Sequence, residues 1–225
     1  MKKTLGLLLT TLLLISTAFA QGIPDAKVPQ GENLAVPEGW EIRLDRPNAE
    51  VVVGSDAETA DIFFVNMTPG WHITTGPRAI FYHPESVVSS DFKIKSLIHL
   101  FDTKGRDREG FGLFFGGKNL QEDSQEYLYF LIRNTGDFLV KARKGSETEN
   151  IIGWTASDTI VKYVGGDDPT GTNELAVEVV DGMIKFHING TEVSSISADG
   201  WVTDGIFGLR VNHQVNLHIE DLSVE

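Results

Sequence analysis

From Trp40 onward the chain alternates. Short runs place apolar residues at every second position, and turn residues separate the runs. Leu175, Val177 and Val179 share one face of a run that ends at Asp181-Gly182, a pair that tolerates the positive φ of a two-residue hairpin turn. The returning run sets Ile184, Phe186 and Ile188 against Lys185 and His187, and Asn189-Gly190 is a second turn of the same kind. Phe207, Leu209 and Val211 then alternate with Gly208, Arg210 and Asn212, and Val215, Leu217 and Ile219 with Asn216, His218 and Glu220. No stretch repeats apolar residues at i, i+3, i+4 and i+7 between caps, so no helix is expected.

Earlier runs are apolar on both sides. Leu128, Phe130 and Ile132 oppose Tyr127, Tyr129, Leu131 and Arg133, which predicts a mid-sheet strand whose second face is partly covered or lines a groove. Residues 62–66, 91–101, 111–115 and 138–143 add further strands. A dozen or more strands are too many for one open sheet. The pattern therefore predicts an all-β, two-sheet antiparallel sandwich.

The N-terminus reads differently. Lys2 and Lys3 precede an apolar run from Leu5 to Ile15, and Ala18-Phe19-Ala20 offers small residues for cleavage. We expect residues 1–20 to be a signal peptide, 21–39 an extended lead-in with three prolines, and 40–225 the sandwich domain. The expected address is the bacterial periplasm or the extracellular space, with no membrane insertion after cleavage. The apolar run is short for a span, and no basic stop-transfer cluster follows it. The chain has no cysteine, so core packing alone must hold an exported fold. Nineteen basic and 32 acidic residues give a formal charge of −13, a surface that repels nucleic acid and anionic lipid. Nothing in the pattern fixes an oligomeric state.

Most motif matches dissolve on inspection. Gly112 to Lys118 has phosphate-loop spacing, but its interior is Leu-Phe-Phe, Asn119 follows, and no helix opens there. Ser90 and Lys93 have the spacing of a nucleophile pair that needs a helix, whereas this segment alternates like a strand. The six histidines show no tight ligand spacing. The loop Gly165 to Gly171 is oxygen-rich, so calcium is the one ion to consider, with Asp167 and Asp168 as weak candidate ligands; no other cofactor is expected. What remains is the face opposite the core. It carries Tyr127, Tyr129, Arg133, Lys141, Arg143, Lys185, His187, Arg210 and His218, a cationic and aromatic set in an acidic protein. Arg and Lys stems covering an exposed sheet would account for it. So would a groove for an anionic or polyhydroxylated ligand, with arginines clamping carboxylates and rings covering sugar C–H faces. Trp71, Trp154 and Trp201 lie near turns and would add stacking platforms or core packing.

Several segments carry a resemblance. Asp91-Phe92-Lys93-Ile94-Lys95, Gly70-Trp71-His72-Ile73, Asn173-Glu174-Leu175, Phe186-His187-Ile188-Asn189-Gly190, Gly205 to Leu209 and His218 to Leu222 together resemble the concanavalin A-like lectin/glucanase superfamily. More narrowly, they look like exported 3-keto-disaccharide hydrolase-like sandwich domains. The resemblance covers roughly residues 85–225 and implies a jelly-roll sandwich with a sheet face that meets carbohydrate. Glucanases of that superfamily carry two carboxylates at alternate positions of one strand. Asp56/Glu58, Asp107/Glu109 and Glu147/Glu149 have the spacing, but each sits in a polar, turn-like stretch. The expectation is an exported, lectin-like domain that binds a glycan or glycoside. The alternatives are a glycoside hydrolase or lyase of atypical constellation, sought first at His213 and the loop Asp102 to Glu109, and an envelope structural or protein-interaction domain.

Overall fold

The computed structural model describes residues 34–167 and 169–225. Its first strands are β1 (Glu41–Leu44), β2 (Val53–Gly54), β3 (Ile62–Asn66), β4 (Trp71–Thr75), β5 (Ala79–Tyr82) and β6 (Val87–Val88). The long central strands are β7 (Phe92–Leu100), β8 (Gly110–Lys118), β9 (Glu126–Arg133), β10 (Asp137–Lys144) and β11 (Glu147–Ala156). The last are β12 (Gly171–Val180), β13 (Met183–Ile188), β14 (Thr191–Ser197), β15 (Gly205–Val211) and β16 (Asn216–Val224). No helix occurs among the described residues.

Two eight-stranded sheets form. The first runs β1-β5-β15-β8-β9-β10-β11, with β6 paired to β15; the second runs β14-β13-β12-β7-β16-β4-β3-β2. Every pairing is antiparallel except the short β2–β3 contact. The hairpin chemistry explains the local links. Asp181, Gly182, Asn189 and Gly190 all have positive φ, between 51° and 77°, and they close β12–β13 and β13–β14 as two-residue turns.

One face of each sheet is buried against the other. Phe111, Leu113, Phe115, Leu128, Phe130 and Ile132 of the first sheet meet Ile94, Ile98, Leu175, Val177, Phe186 and Ile219 of the second. This is a jelly-roll sandwich. The strand parity read from the sequence holds in β9, β12, β13, β15 and β16, because one face of each must reach this shared core. The first sheet has a second apolar layer on its outer face, where Ile80, Tyr82, Phe114, Tyr127, Tyr129, Leu131 and Leu139 pack together. On the outer face of the second sheet, Phe63, Val65 and Met67 are covered by Leu34, and the amide of Asn66 donates to the carbonyl of Ala35 at 2.9 Å.

The stretch 147–156 departs from the sequence reading. Glu147 and Glu149 stand in an edge strand, paired with Lys144 and Ala142, and not in a turn. Most of that strand is exposed, so no core imposes alternation on it.

Candidate functional site: a cationic cleft on the first sheet

The outer apolar layer of the first sheet is the floor of the site. On β9 and β10, Tyr129 pairs with Lys141 and Tyr127 with Arg143. Across β8, Arg210 of β15 aligns with Gly112, and Gly112 with Leu131. Side chains from these strands and from the loops above open into a cleft of about 750 Å³. Tyr129, Leu131, Leu139 and Trp154 provide its apolar surface, and Arg46, Arg78, Arg108, Lys141, Arg143 and Arg210 its charge. Asn212 and His213 close one side, and Asp45 is the single carboxylate in the lining.

Asp45 organises the deep cations. Arg210 donates to both of its carboxylate oxygens, at 2.5 and 2.7 Å, in a bidentate pair. Arg143 approaches the same carboxylate at 3.7 Å, and it donates to the backbone carbonyls of Asp45 and Gly145. Arg78 lies 3.8 Å away. Burial alone would raise the Asp45 carboxyl, but the bond from Arg210 and the charges of Arg210, Arg143 and Arg78 outweigh it and hold the group below the ordinary carboxylate range. The Arg210 guanidinium also sits 5.6 Å from the Tyr129 ring centre, and burial pushes that phenol up to about 12. Arg78 donates from Nε to Nε2 of His213 at 3.2 Å. Burial and the Arg78 charge lower the His213 pKa, and Nδ1 of the ring lies 3.8 Å from the Glu109 carboxylate.

The structure gathers Tyr127, Tyr129, Arg133, Lys141, Arg143 and Arg210 on one sheet face. Their exposure differs. Tyr127 is 2% exposed and packs beneath Phe114 and Tyr129, so it belongs to the floor and offers little surface. Arg133 pairs with Asp137 and stacks 4.1 Å over the Trp154 ring, so it braces that wall.

Three other residues lie elsewhere. His187 and His218 stand on the outer face of the second sheet, because β13 and β16 pair with β12, β14, β7 and β4. His218 is fully buried there, in register between His72 and His99. Trp71 faces inward, against the core and the Trp40 ring at 4.8 Å. Of the weak calcium candidates, Asp167 is exposed and Asp168 lies outside the described residues. No group of three or more His, Cys, Asp or Glu among the described residues is arranged to hold a metal ion. Sequence parity missed Asp45, Arg46, Arg78 and Arg108, which stand outside the strands and have no alternation to mark them.

No protein-family model matches the chain, and no curated protein matches it. Solved structures do. The carbohydrate-binding module CBM66 from Bacillus subtilis is similar at a TM-score of 0.57, with 13% identity over 83% of this chain and 95% of that one. A GH16 protein of the Bacteroides ovatus mixed-linkage glucan locus, solved with a G4G4G3G product, gives 0.52 at 10% identity, covering 85% and 97%. A Bacillus subtilis protein of unknown function with a galectin-like fold gives 0.51 at 12%, covering 83% and 88%. These likenesses show the fold, a two-sheet jelly-roll sandwich shared with those structures.

Proposed function

We propose that this chain is an exported glycan-binding domain whose ligand lies in the cleft on the outer face of the first sheet. One observation carries the reading: a single open cleft joins aromatic and aliphatic surface to hydrogen-bond donors drawn from β10, β15 and several loops. Sugars ask for that combination, with rings against their C–H faces and fixed polar groups at their hydroxyls. The architecture shared with a carbohydrate-binding module and with a GH16 protein holding its product supports it. The apolar segment and small residues at 1–20 support export.

The carboxylate count favours binding over hydrolysis. Glycoside hydrolysis ordinarily needs two carboxyl groups, one of them able to donate a proton. Asp45 is alone in the cleft, ionised, and held by Arg210.

Affinity gel electrophoresis across a panel of polysaccharides tests the reading. At least one polymer should retard the protein, and Trp154→Ala with Tyr129→Ala should abolish the shift while thermal melting shows a folded domain. His187→Ala, on the other sheet, should shift like the parent. No retardation by any polymer would remove the proposal. New reducing ends, or the ultraviolet absorbance of an unsaturated sugar, would overturn it in favour of an enzyme.

A further inference from the structure

The charges in the cleft say more than that it binds sugar. Six of the chain's 19 lysines and arginines line it, against one carboxylate, in a protein whose acidic residues number 32. Asp45 balances only one of the three guanidiniums grouped round it. Arg46, Arg108 and Lys141 have no ion pair among the described residues. Arg210 and Arg143 are 3% and 6% exposed, so their positive charge is fixed at the base of the cleft and cannot swing away. Clustered like charges repel, and in low-dielectric surroundings the cost rises. A chain so rich in Asp and Glu had many ways to neutralise them internally, yet the lining leaves them uncompensated. An incoming anion supplies what is missing.

The apolar surface narrows the class of anion. Trp154, 37% exposed, stands on the wall of the same space as the cations, over a floor closed by Leu131, Leu139 and Tyr129. A small inorganic anion would leave them unused, and a volume of about 750 Å³ falls in the usual range for a ligand of drug size. We propose that the ligand is an acidic polysaccharide, with carboxylate or sulfate groups on its sugars, a claim that rests on the glycan-binding reading above. In this arrangement Arg46, Arg108 and Lys141 meet the ligand's charges at the rim. Arg143 and Arg210 set the positive potential from below, and Trp154 takes the C–H face of a sugar ring. The formal −13 of the whole molecule opposes every long polyanion, nucleic acid and acidic polysaccharide alike, so the sugar is preferred here on the glycan-binding reading and not on charge.

Calorimetric titration of the purified chain with polygalacturonate and chondroitin sulfate, beside fully methyl-esterified polygalacturonate and dextran, tests this. At least one charged polymer should bind about tenfold or more tightly than the neutral ones, and its affinity should fall steeply as salt is raised. Arg108→Ala with Lys141→Ala, both changed at solvent-facing positions, should weaken binding about tenfold or more with the melting temperature unchanged. Equal affinity for the neutral polymers would overturn the acidic class and leave the glycan-binding domain standing. No binding to any of the four, together with no retardation across the gel panel, would remove both. Single-stranded poly-dT bound as tightly as the acidic polysaccharides would also overturn the proposal, because the site would then read charge without sugar.

Discussion

Asp45 and Arg210 show how one buried pair serves both fold and site. The Asp45 side chain is 12% exposed and its Arg210 partner 4%, so water cannot stand in for either. Asp45→Asn keeps the shape and removes the counter-charge, leaving three guanidiniums around a neutral amide. We expect it to cost about 3–5 kcal/mol in urea unfolding, the usual penalty for a buried charge that loses its partner. A loss under about 1 kcal/mol would mean that solvent reaches Arg210. The histidine row on the second sheet makes a different residue-scale statement. His72, His218 and His99 stand side by side across β4, β16 and β7, with ring centres 6.3 and 5.7 Å apart. His72 is lowered to about 4 by burial, and His218 to about 4 by burial first and the neighbouring imidazoles second. The unfolded chain therefore binds protons that the folded chain refuses. Stability should be flat above the unfolded value near 6.5 and should fall as pH drops from there towards 4, by up to about 1.4 kcal/mol per pH unit for each proton taken up. Calorimetry from pH 7.5 to 4 should show the melting temperature falling in that window. His218→Phe should remove about one proton's share of the slope, and an unchanged slope would refute the assignment.

At the scale of strands and turns, the sequence was legible wherever a local rule had no competitor. Asp181-Gly182 and Asn189-Gly190 specified two hairpins, and alternation specified which side chains face the core. Parity could not say to which sheet a strand belongs. Arg210 and His218 both point away from the core, yet the link from β15 to β16 crosses from the first sheet to the second and parts them. The cleft was half legible for the same reason: Tyr129, Lys141, Arg143 and Arg210 follow strand parity, whereas Asp45, Arg46, Arg78 and Arg108 arrive from connections that have none. Two turn glycines test how far local and long-range demands differ. Gly70, at φ +71°, links β3 to β4, and a Cβ there would lie 1.9 Å from the carbonyl oxygen of Ile219. Gly190 has φ +77° and nothing within 4 Å of such an atom. Gly190→Ala should cost about 1–2 kcal/mol from the left-handed backbone alone. Gly70→Ala adds a backbone clash with β16, so about 3 kcal/mol or more is expected in the same denaturation assay. Equal costs would show that the Gly70 turn can move away from β16.

For the whole molecule, topology makes the far ends of the chain interdependent. β16 lies in the middle of the second sheet, hydrogen-bonded to β7 on one side and to β4 on the other. Its Leu217 and Ile219 are buried in the main core, and the final residue, Glu225, exchanges backbone bonds with Lys93 and pairs its side chain with Lys95. With no disulfide available, nothing covalent holds β4, β3 and β2 beside β7 once β16 is gone. Deleting residues 216–225 removes two buried apolar side chains, each worth about 2–5 kcal/mol, together with the buried His218, and opens two unpaired strand edges in the centre of a sheet. A domain has about 5–15 kcal/mol to lose. The truncated chain should therefore show no cooperative melting and should bind a hydrophobic dye at neutral pH. It should also lose glycan retardation, although no cleft residue is removed, because Arg78 enters the cleft from the link between β4 and β5. A truncated chain that melts cooperatively and still binds would mean that the first sheet folds and works without the second, and the two-sheet core would no longer be what positions the cleft.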